Sequence, residues 1–197
     1  MRKTTVFSLL FFIVSFFFSN TSIAETKSDV ELLPDVTLTV PENTALIEYM
    51  GLKGKPGTPF KINEIDADIL MIELFSMYCP YCQKAAPAIN ELYEKMEQVK
   101  RPDLKLVIIG IGANNTDLEV DTFRHGFDIA FPLFSDPDLS IYKSLSGAGT
   151  PTFIGCKKNE EKNSVIFFRK SGGFKDPSGF LDDLLSRSGL NQVDHAN

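Results

Sequence analysis

Residues 69–87 read ILMIELFSMYCPYCQKAAP, and this stretch decides the fold. Its first part, residues 69–75, is an apolar run broken only by Glu73, which is the pattern of a strand buried on both faces. Apolar residues at helical spacing follow over residues 83–99 and predict an amphipathic helix. The stretch therefore predicts a strand, a short turn and a helix, with two cysteines at the junction.

The rest of the chain alternates between strand and helix patterns. Strands are predicted at residues 36–40, 104–111, 152–156 and 165–168, and helices at residues 117–127, 139–145 and 180–187. This order implies an α/β fold whose first strands are parallel, with right-handed crossovers. The last two strands are close enough in sequence to form an antiparallel hairpin.

Two cysteines separated by two residues, Cys79 and Cys82, lie at the predicted start of the long helix. The free N–H groups of the first helical turn and the helix dipole stabilise a thiolate at Cys79. Pro80 suits this turn because its missing N–H costs little there. Cys79 is therefore the expected nucleophile toward a substrate disulfide, and Cys82 the thiol that resolves the mixed disulfide. Tyr81, between them, is expected to shield the site or to contact the substrate.

A Cys-x-x-Cys motif can also bind metal or attach haem. Structural zinc needs four ligands, and the chain offers only Cys156, His125 and His195 besides the motif. Haem attachment needs a histidine after the second cysteine, where this chain has Gln83. Redox chemistry is therefore favoured, and neither a metal nor a cofactor is expected.

Glu73 lies six residues before Cys79, inside the apolar strand. Burial of an unpaired carboxylate is costly, so the pKa of Glu73 is expected to rise. A buried acid near the thiols can accept or deliver the proton that Cys82 must exchange, which makes Glu73 a candidate catalytic residue. The alternative is that Glu73 points to a sheet edge and is solvated.

Thr150 and Pro151 precede the predicted strand at residues 152–156. With a cis peptide bond, this pair could lie against the cysteines and bind an extended substrate chain through its backbone. The trans form is the commoner state of a Thr-Pro bond, so these two residues alone leave both forms open.

Together these features resemble the thioredoxin superfamily. They are an acid six residues before a Cys-x-x-Cys motif, Pro87 five residues after it and a Thr-Pro pair that opens a strand, and the resemblance covers roughly residues 55–188. It implies a thioredoxin-like fold, with a central mixed β-sheet flanked by helices and a cis proline facing the cysteines. The motif departs from the Trp-Cys-Gly-Pro-Cys of thioredoxins, because Tyr78 replaces the tryptophan and Pro-Tyr fills the middle. The expected substrate-binding residues are Pro80, Tyr81, Thr150 and Pro151.

The gap from Cys82 to Pro151 is 69 residues, which is long for a plain thioredoxin. Residues 114–149, within this gap, resemble the central insertion of the TlpA/ResA branch and of peroxiredoxins. A TlpA/ResA-like protein would be an exported thiol–disulfide oxidoreductase, and this resemblance suggests that it acts as a reductant.

The N-terminus has the layout of a secretory signal peptide. Arg2 and Lys3 precede an apolar run at residues 6–18, and small residues up to Ala24 offer a cleavage site. The run is short for a membrane span, which needs about 20 residues, although a retained anchor is the alternative. The predicted organisation is a signal peptide at residues 1–24, an N-terminal extension at 25–54, a thioredoxin-like domain at 55–190 and a flexible tail at 191–197.

The formal net charge is −6, and the chain has no basic cluster. Such a chain is a poor candidate for binding nucleic acid or anionic lipid. Residues 25–54, between the predicted signal peptide and Lys55, are too few for a dimerisation domain, so a monomer is expected.

The leading functional hypothesis is a periplasmic enzyme that exchanges disulfides with cysteines of other exported proteins and depends on a membrane or periplasmic redox partner. A peroxiredoxin-like thiol peroxidase is the second hypothesis: Ser76 lies three residues before Cys79, as such enzymes prefer, but Ile72 stands where their proline would be. A metal-binding module, such as a copper chaperone, is the third. Cys156 is interpreted as a small buried hydrophobe, with a regulatory or intermolecular thiol as the alternative.

Overall fold

The computed structural model describes residues 30–99, 101–159, 161 and 163–190. The predicted signal peptide, its cleavage site after Ala24, the predicted tail and His195 lie outside these residues. Within the described ranges, no helix combines the length and the apolar character that a membrane span requires.

Strands and helices follow one another along the described chain. The strands are β1 Thr37–Thr39, β2 Pro59–Lys61, β3 Ile69–Phe75, β4 Leu106–Ala113, β5 Leu133–Asp136, β6 Thr152–Lys158 and β7 Ser164–Ser171. The α-helices are α1 Thr44–Tyr49, α2 Pro80–Glu97, α3 Asp117–Gly126, α4 Ser140–Ser144 and α5 Pro177–Ser188, and a 3₁₀ turn covers Ile62–Glu64.

The main sheet has five strands in the order β5-β4-β3-β6-β7. Strands β3, β4 and β5 are parallel, whereas β6 runs antiparallel to β3 and β7 antiparallel to β6. The mixed sheet and its terminal hairpin confirm the fold class that the sequence predicted. Strand β3 lies in the centre and all seven of its residues are buried, as its apolar run indicated.

Helix α2 begins at Pro80, earlier than the residue 83 that apolar spacing alone predicted. Pro80 occupies the start of the helix, where it needs no N–H partner, and Pro87 lies inside the helix, as expected. On the exposed side, Lys95 and Glu91, which lie four residues apart, form an ion pair with 3.4 Å between Nζ and Oε1. The opposite side of the helix supplies buried residues to the core, namely Cys82, Ala85, Ala86, Ile89, Leu92 and Met96.

Two apolar clusters fill the two faces of the sheet. Met71 and Phe75 of β3 pack on the face that α2 and α5 cover. Ile72 and Leu74 point to the other face, which residues 33–65 cover. The residues predicted as an N-terminal extension thus contribute to the same core as the central strand.

The sequence reading missed strands β2 and β5. Strand β2 has three residues and pairs only with β1. Strand β5 has four residues, of which Ser135 and Asp136 are polar, so it lacks both a long apolar run and a clear alternation. Strands this short form because a neighbouring strand supplies their hydrogen bonds.

The N-terminal segment covers the outer edge of β7. The N–H of Leu33 donates to the carbonyl of Ser164 at 2.8 Å, and the N–H of Ile166 donates to the carbonyl of Glu31 at 2.7 Å. Arg169 adds an ion pair with Glu31 at 2.6 Å. A covered edge is protected against pairing with another chain.

Candidate active site

Cys79 and Cys82 lie at the junction that the sequence predicted. Cys79 is the N-cap of α2, with φ −86° and ψ 112°, and its carbonyl accepts from the N–H of Cys82 at 3.0 Å. Cys79 is partly exposed and Cys82 is buried, and neither is in a disulfide. Tyr81, between them, is 73 % exposed. One thiol is therefore reachable from solvent, and the second lies one turn deeper.

The surroundings of Cys79 favour its thiolate. Partial desolvation raises the pKa of Cys79, but hydrogen bonds from the Thr150 side chain, from the backbone and thiol of Cys82, and from the backbone of Tyr81 outweigh it. The net pKa lies below the ordinary value of a cysteine. When protonated, the thiol donates to the carbonyl of Thr150 at 3.2 Å.

Cys82 has the opposite character. Burial raises the pKa of Cys82 to about 12, and the hydrogen bond with Cys79 and the charge of Glu73 act in the same direction. Cys82 is therefore a neutral thiol at physiological pH. The two thiols differ because one lies at the rim of the fold and the other lies beneath it.

Glu73 is buried in the central strand, so the alternative of a solvated sheet edge is wrong. It is 1 % exposed and pairs with Gly110 of β4 on one side and Phe153 of β6 on the other. Burial raises the pKa of Glu73 to about 8, and its Oε1 has no hydrogen-bond partner among the described residues. By strand alternation its side chain points to the face where Cys82 is buried.

The Thr150–Pro151 bond is cis, as the resemblance implied. The carbonyl of Pro151 accepts from Gly172 at 2.8 Å, and the carbonyl of Gly149 accepts from the hydroxyl of Thr152 at 2.8 Å. Pro151 is buried and Thr150 is half-buried beside Cys79. The structure thus brings the predicted residues from the motif, from β3 and from this loop together.

Sequence reasoning missed Asn115, Glu119 and Tyr142, which lie around the site. The side-chain oxygen of Asn115 accepts from the N–H of Met77 at 2.8 Å. The hydroxyl of Tyr78 donates to Glu119, and the hydroxyl of Tyr142 accepts from the N–H of Gly149. These residues belong to no motif, and the only signal for them was their place in the stretch that resembled a family insertion.

The remaining candidates lie elsewhere. Cys156 is buried with Ile154 on the sheet face opposite Cys82, which agrees with its interpretation as a small hydrophobe. Burial raises the pKa of Cys156 to about 12. His125 lies in the last turn of α3. Among the described residues there is no cluster of three or more His, Cys, Asp or Glu side chains that could hold a metal.

Comparison with protein families identifies the chain. The model of the AhpC/TSA family matches residues 33–172, which is most of the described fold and includes both cysteines and the cis proline. The chain belongs to the AhpC/TSA family. The matched range begins well before residue 55, so the family fold includes the N-terminal strand pair.

Individual relatives of this AhpC/TSA chain are distant. The thiol-disulfide oxidoreductase ResA of Halalkalibacterium halodurans is 23 % identical over 110 residues, which are 56 % of this chain and 60 % of that protein. The match thus spans less than two thirds of the length of that relative.

Solved structures share the fold of this AhpC/TSA chain. A Chlorobium tepidum protein assigned as the thiol:disulfide interchange protein DsbE superposes with a TM-score of 0.60 at 15 % identity, covering 81 % of this chain and 97 % of that one. StoA from Bacillus subtilis superposes with a TM-score of 0.53 at 14 % identity, covering 77 % and 97 %. The fold is that of thioredoxin-like proteins.

Glu73→Gln is expected to stabilise the protein increasingly as the pH rises. The pKa of Glu73 is about 8 in the folded state against an ordinary 4.5, so the folded state keeps a proton that the unfolded state releases between these values. Below about pH 4.5 the wild type has its full stability; above it, this residue costs about 1.4 kcal/mol per pH unit until about pH 8. The amide does not titrate, so the gain of the variant grows over that window.

Urea unfolding across the same pH window measures this difference. The exposed Glu94 is the matched control, because Glu94→Gln removes a carboxylate without changing a buried one. If the difference in unfolding free energy between Glu73→Gln and the wild type stayed constant with pH, the raised pKa of the buried Glu73 would be contradicted.

Proposed function

We propose that this chain is a thiol–disulfide oxidoreductase that exchanges disulfides with cysteines of other proteins through Cys79 and Cys82. The observation that carries the proposal is the asymmetry of the two thiols. The accessible one has a lowered pKa and the buried one a raised pKa. The name of the ResA relative supports the same activity.

The chemistry follows from this asymmetry. The Cys79 thiolate attacks one sulfur of a substrate disulfide, forms a mixed disulfide and releases the other substrate sulfur as a thiolate. Cys82 then loses its proton and attacks the Cys79 sulfur. This step closes the Cys79–Cys82 disulfide and releases the second substrate thiolate. Two electrons pass from the dithiol to the substrate, and the reverse sequence oxidises a substrate dithiol.

Glu73 is proposed as the group that exchanges the proton of Cys82. Cys82, with a pKa of about 12, needs a base to lose its proton. The pKa of Glu73, about 8, is higher than that of a solvent-exposed carboxylic acid and lower than that of the Cys82 thiol. The carboxylate lies on the same buried face as Cys82, and its charge acts on that thiol. The ionised form of Glu73 can thus accept the proton of Cys82 inside the core, and the protonated form can return a proton in the reverse direction.

Pro80, Tyr81, Thr150 and Pro151 are proposed as the substrate-binding surface. Tyr81 projects into solvent beside Cys79, and the cis bond places the Thr150 backbone next to the same sulfur. An extended substrate chain lying across Cys79 would meet the Tyr81 ring on one side and the Thr150 backbone on the other.

Serine substitutions of the two cysteines are expected to separate the two steps. Cys79→Ser abolishes exchange because the nucleophile is lost. Cys82→Ser keeps the first attack but cannot resolve it, so the mixed disulfide accumulates. Mass spectrometry after mixing with a peptide disulfide measures both results, and Cys156→Ala is the control that retains exchange. Exchange that survives Cys79→Ser would exclude the proposal.

Glu73→Gln is expected to slow only the second step, by about tenfold or more near neutral pH. Stopped-flow measurement of mixed-disulfide formation and decay separates the steps, with Glu94→Gln as the control. A variant whose decay rate equals that of the wild type would remove Glu73 from the mechanism.

Thiol peroxidase activity is separable by experiment. Hydrogen peroxide that oxidised Cys79 at an enzymatic rate, while peptide disulfides reacted slowly, would favour the peroxidase hypothesis. Stoichiometric metal in protein purified under reducing conditions would favour the metal-binding hypothesis.

The proposed setting is the periplasm or an equivalent exported space, with a reductant role and a membrane or periplasmic partner that supplies electrons. The signal-peptide pattern of residues 1–24 supports export. A measured mass that corresponds to a mature protein beginning at Glu25 would establish it. The resemblance of residues 114–149 to the central insertion of the TlpA/ResA branch supports the reductant direction.

The reduction potential tests the direction. Equilibration of the Cys79–Cys82 couple with glutathione buffers, in a Cys156→Ala background, is expected to give a value near about −270 mV, as for thioredoxin. A value near about −120 mV would mean an oxidant and would overturn the reductant assignment.

A further inference from the structure

The segment between β4 and the cis proline, residues 114–149, contacts the site from two sides. We call it the central segment. It contains α3, β5 and α4. Two loops meet at Cys79: residues 76–79, which lead into α2, and residues 149–151, which contain the cis bond. In each of these loops, one backbone N–H donates to a side chain of the central segment.

Asn115 holds the loop that leads to Cys79. Its side chain is completely buried, and its Oδ1 accepts from the N–H of Met77 at 2.8 Å. Its Nδ2 donates to the carbonyl of Asn114 at 3.1 Å, and its N–H donates to the carbonyl of Gly112 at 3.0 Å. The amide is thus fixed at the end of β4, and it fixes the backbone two residues before Cys79.

Tyr142 holds the loop that contains the cis bond. Its hydroxyl accepts from the N–H of Gly149 at 2.7 Å, directly before Thr150. Its ring packs against the backbone of Gly147, where an added Cβ would lie 2.4 Å from the ring. The position of this loop therefore depends on Tyr142, and so does the position of Thr150, whose side chain and carbonyl both hydrogen bond with Cys79.

Asp136 joins the two anchors. Its buried carboxylate accepts from the N–H of Ile141 at 3.0 Å and from that of Tyr142 at 2.7 Å, which orients α4. Its own N–H donates to the carbonyl of Asn115 at 3.2 Å. Asn115 and Tyr142 are thus parts of one hydrogen-bonded unit rather than two independent contacts.

We propose that Asn115 and Tyr142 are positioning residues of the dithiol site, which hold the two loops that meet at Cys79 at the separation required for its contact with Thr150. They act through the backbones of Met77 and Gly149 and need no contact with substrate. The expected effect on catalysis rests on the proposed exchange function, whereas the expected effect on the reactivity of the Cys79 thiol does not.

The physical reason is that the Cys79 thiolate depends on groups from both loops. The hydrogen bonds that lower its pKa come from Cys82 and Tyr81 in the first turn of α2 and from the side chain of Thr150, which lies 71 residues after Cys79 in the chain. If either loop relaxes by a fraction of an ångström, these hydrogen bonds lengthen and stabilise the negative charge of the Cys79 thiolate less. The thiolate then becomes less stable relative to the thiol.

The experiment measures the rate at which reduced protein reacts with iodoacetamide at Cys79 as a function of pH, in a Cys156→Ala background. Tyr142→Phe removes only the hydroxyl. It is expected to raise the midpoint of the profile by about 0.5 to 1 pH unit, as the loss of one hydrogen bond implies. The glutathione equilibrium should shift by about threefold to tenfold toward the disulfide form.

Tyr93→Phe is the matched control. Tyr93 lies on α2, and its ring packs against those of Tyr49 and Phe131, each with centroids 5.8 Å away. Tyr93→Phe also removes a tyrosine hydroxyl, but it changes neither loop. The midpoint of the pH profile should therefore equal that of the wild type.

Asn115→Ala tests the other loop and is expected to move the midpoint in the same direction. Because this variant leaves the N–H of Met77 without its side-chain acceptor, its fold is checked first by circular dichroism. If Asn115→Ala does not fold, the result for Tyr142→Phe decides. Variants that lower Tm but keep the wild-type midpoint and glutathione equilibrium would overturn the proposal. A shifted midpoint in a protein whose wild type exchanges no disulfides would retain the positioning role and reject the proposed function.

Discussion

The burial of strand β3 on both faces is the constraint on which the rest of the structure depends. All seven of its residues are inside, and its hydrogen bonds to β4 and β6 hold it from both sides. A strand held in this way ends at a fixed point, and α2 begins only a few residues later. The N-cap of that helix is therefore placed at the rim of the sheet, where Cys79 meets solvent.

Depth below this rim distinguishes the three groups of the site. Cys79 lies at the surface, Cys82 lies one helical turn inside, and Glu73 lies in the strand with 1 % of its surface exposed. The pKa values follow these environments: helix N–H groups and the Thr150 side chain stabilise the thiolate at the rim, whereas burial raises the pKa of Cys82 and that of Glu73. A nucleophile, a resolving thiol and a proton acceptor thus arise from similar chemistry at different depths.

Much of the fold was predictable because its main elements have strong local patterns. The run at β3, the amphipathic face of α2 and the late hairpin needed only their own residues to be recognised. Strands β2 and β5 were missed, since three or four residues carry too little pattern and their pairing comes from neighbours. In the site, Glu73 was predicted because an acid inside an apolar run is unusual, whereas Asn115 and Tyr142 have common residue types in unremarkable positions.

The strand, the two cysteines at a helix start and the acid beneath them could be inferred from the residues alone, because all three lie within a short stretch whose geometry is local. The distant groups that complete the site could be identified only in the folded chain. The contact of Cys79 with Thr150 spans 71 residues, and the anchors at Asn115 and Tyr142 depend on how β4, β5 and α4 pack. Hydrogen bonds between backbone groups and distant side chains leave no periodic trace in a sequence, so the fold has to form before they can be seen.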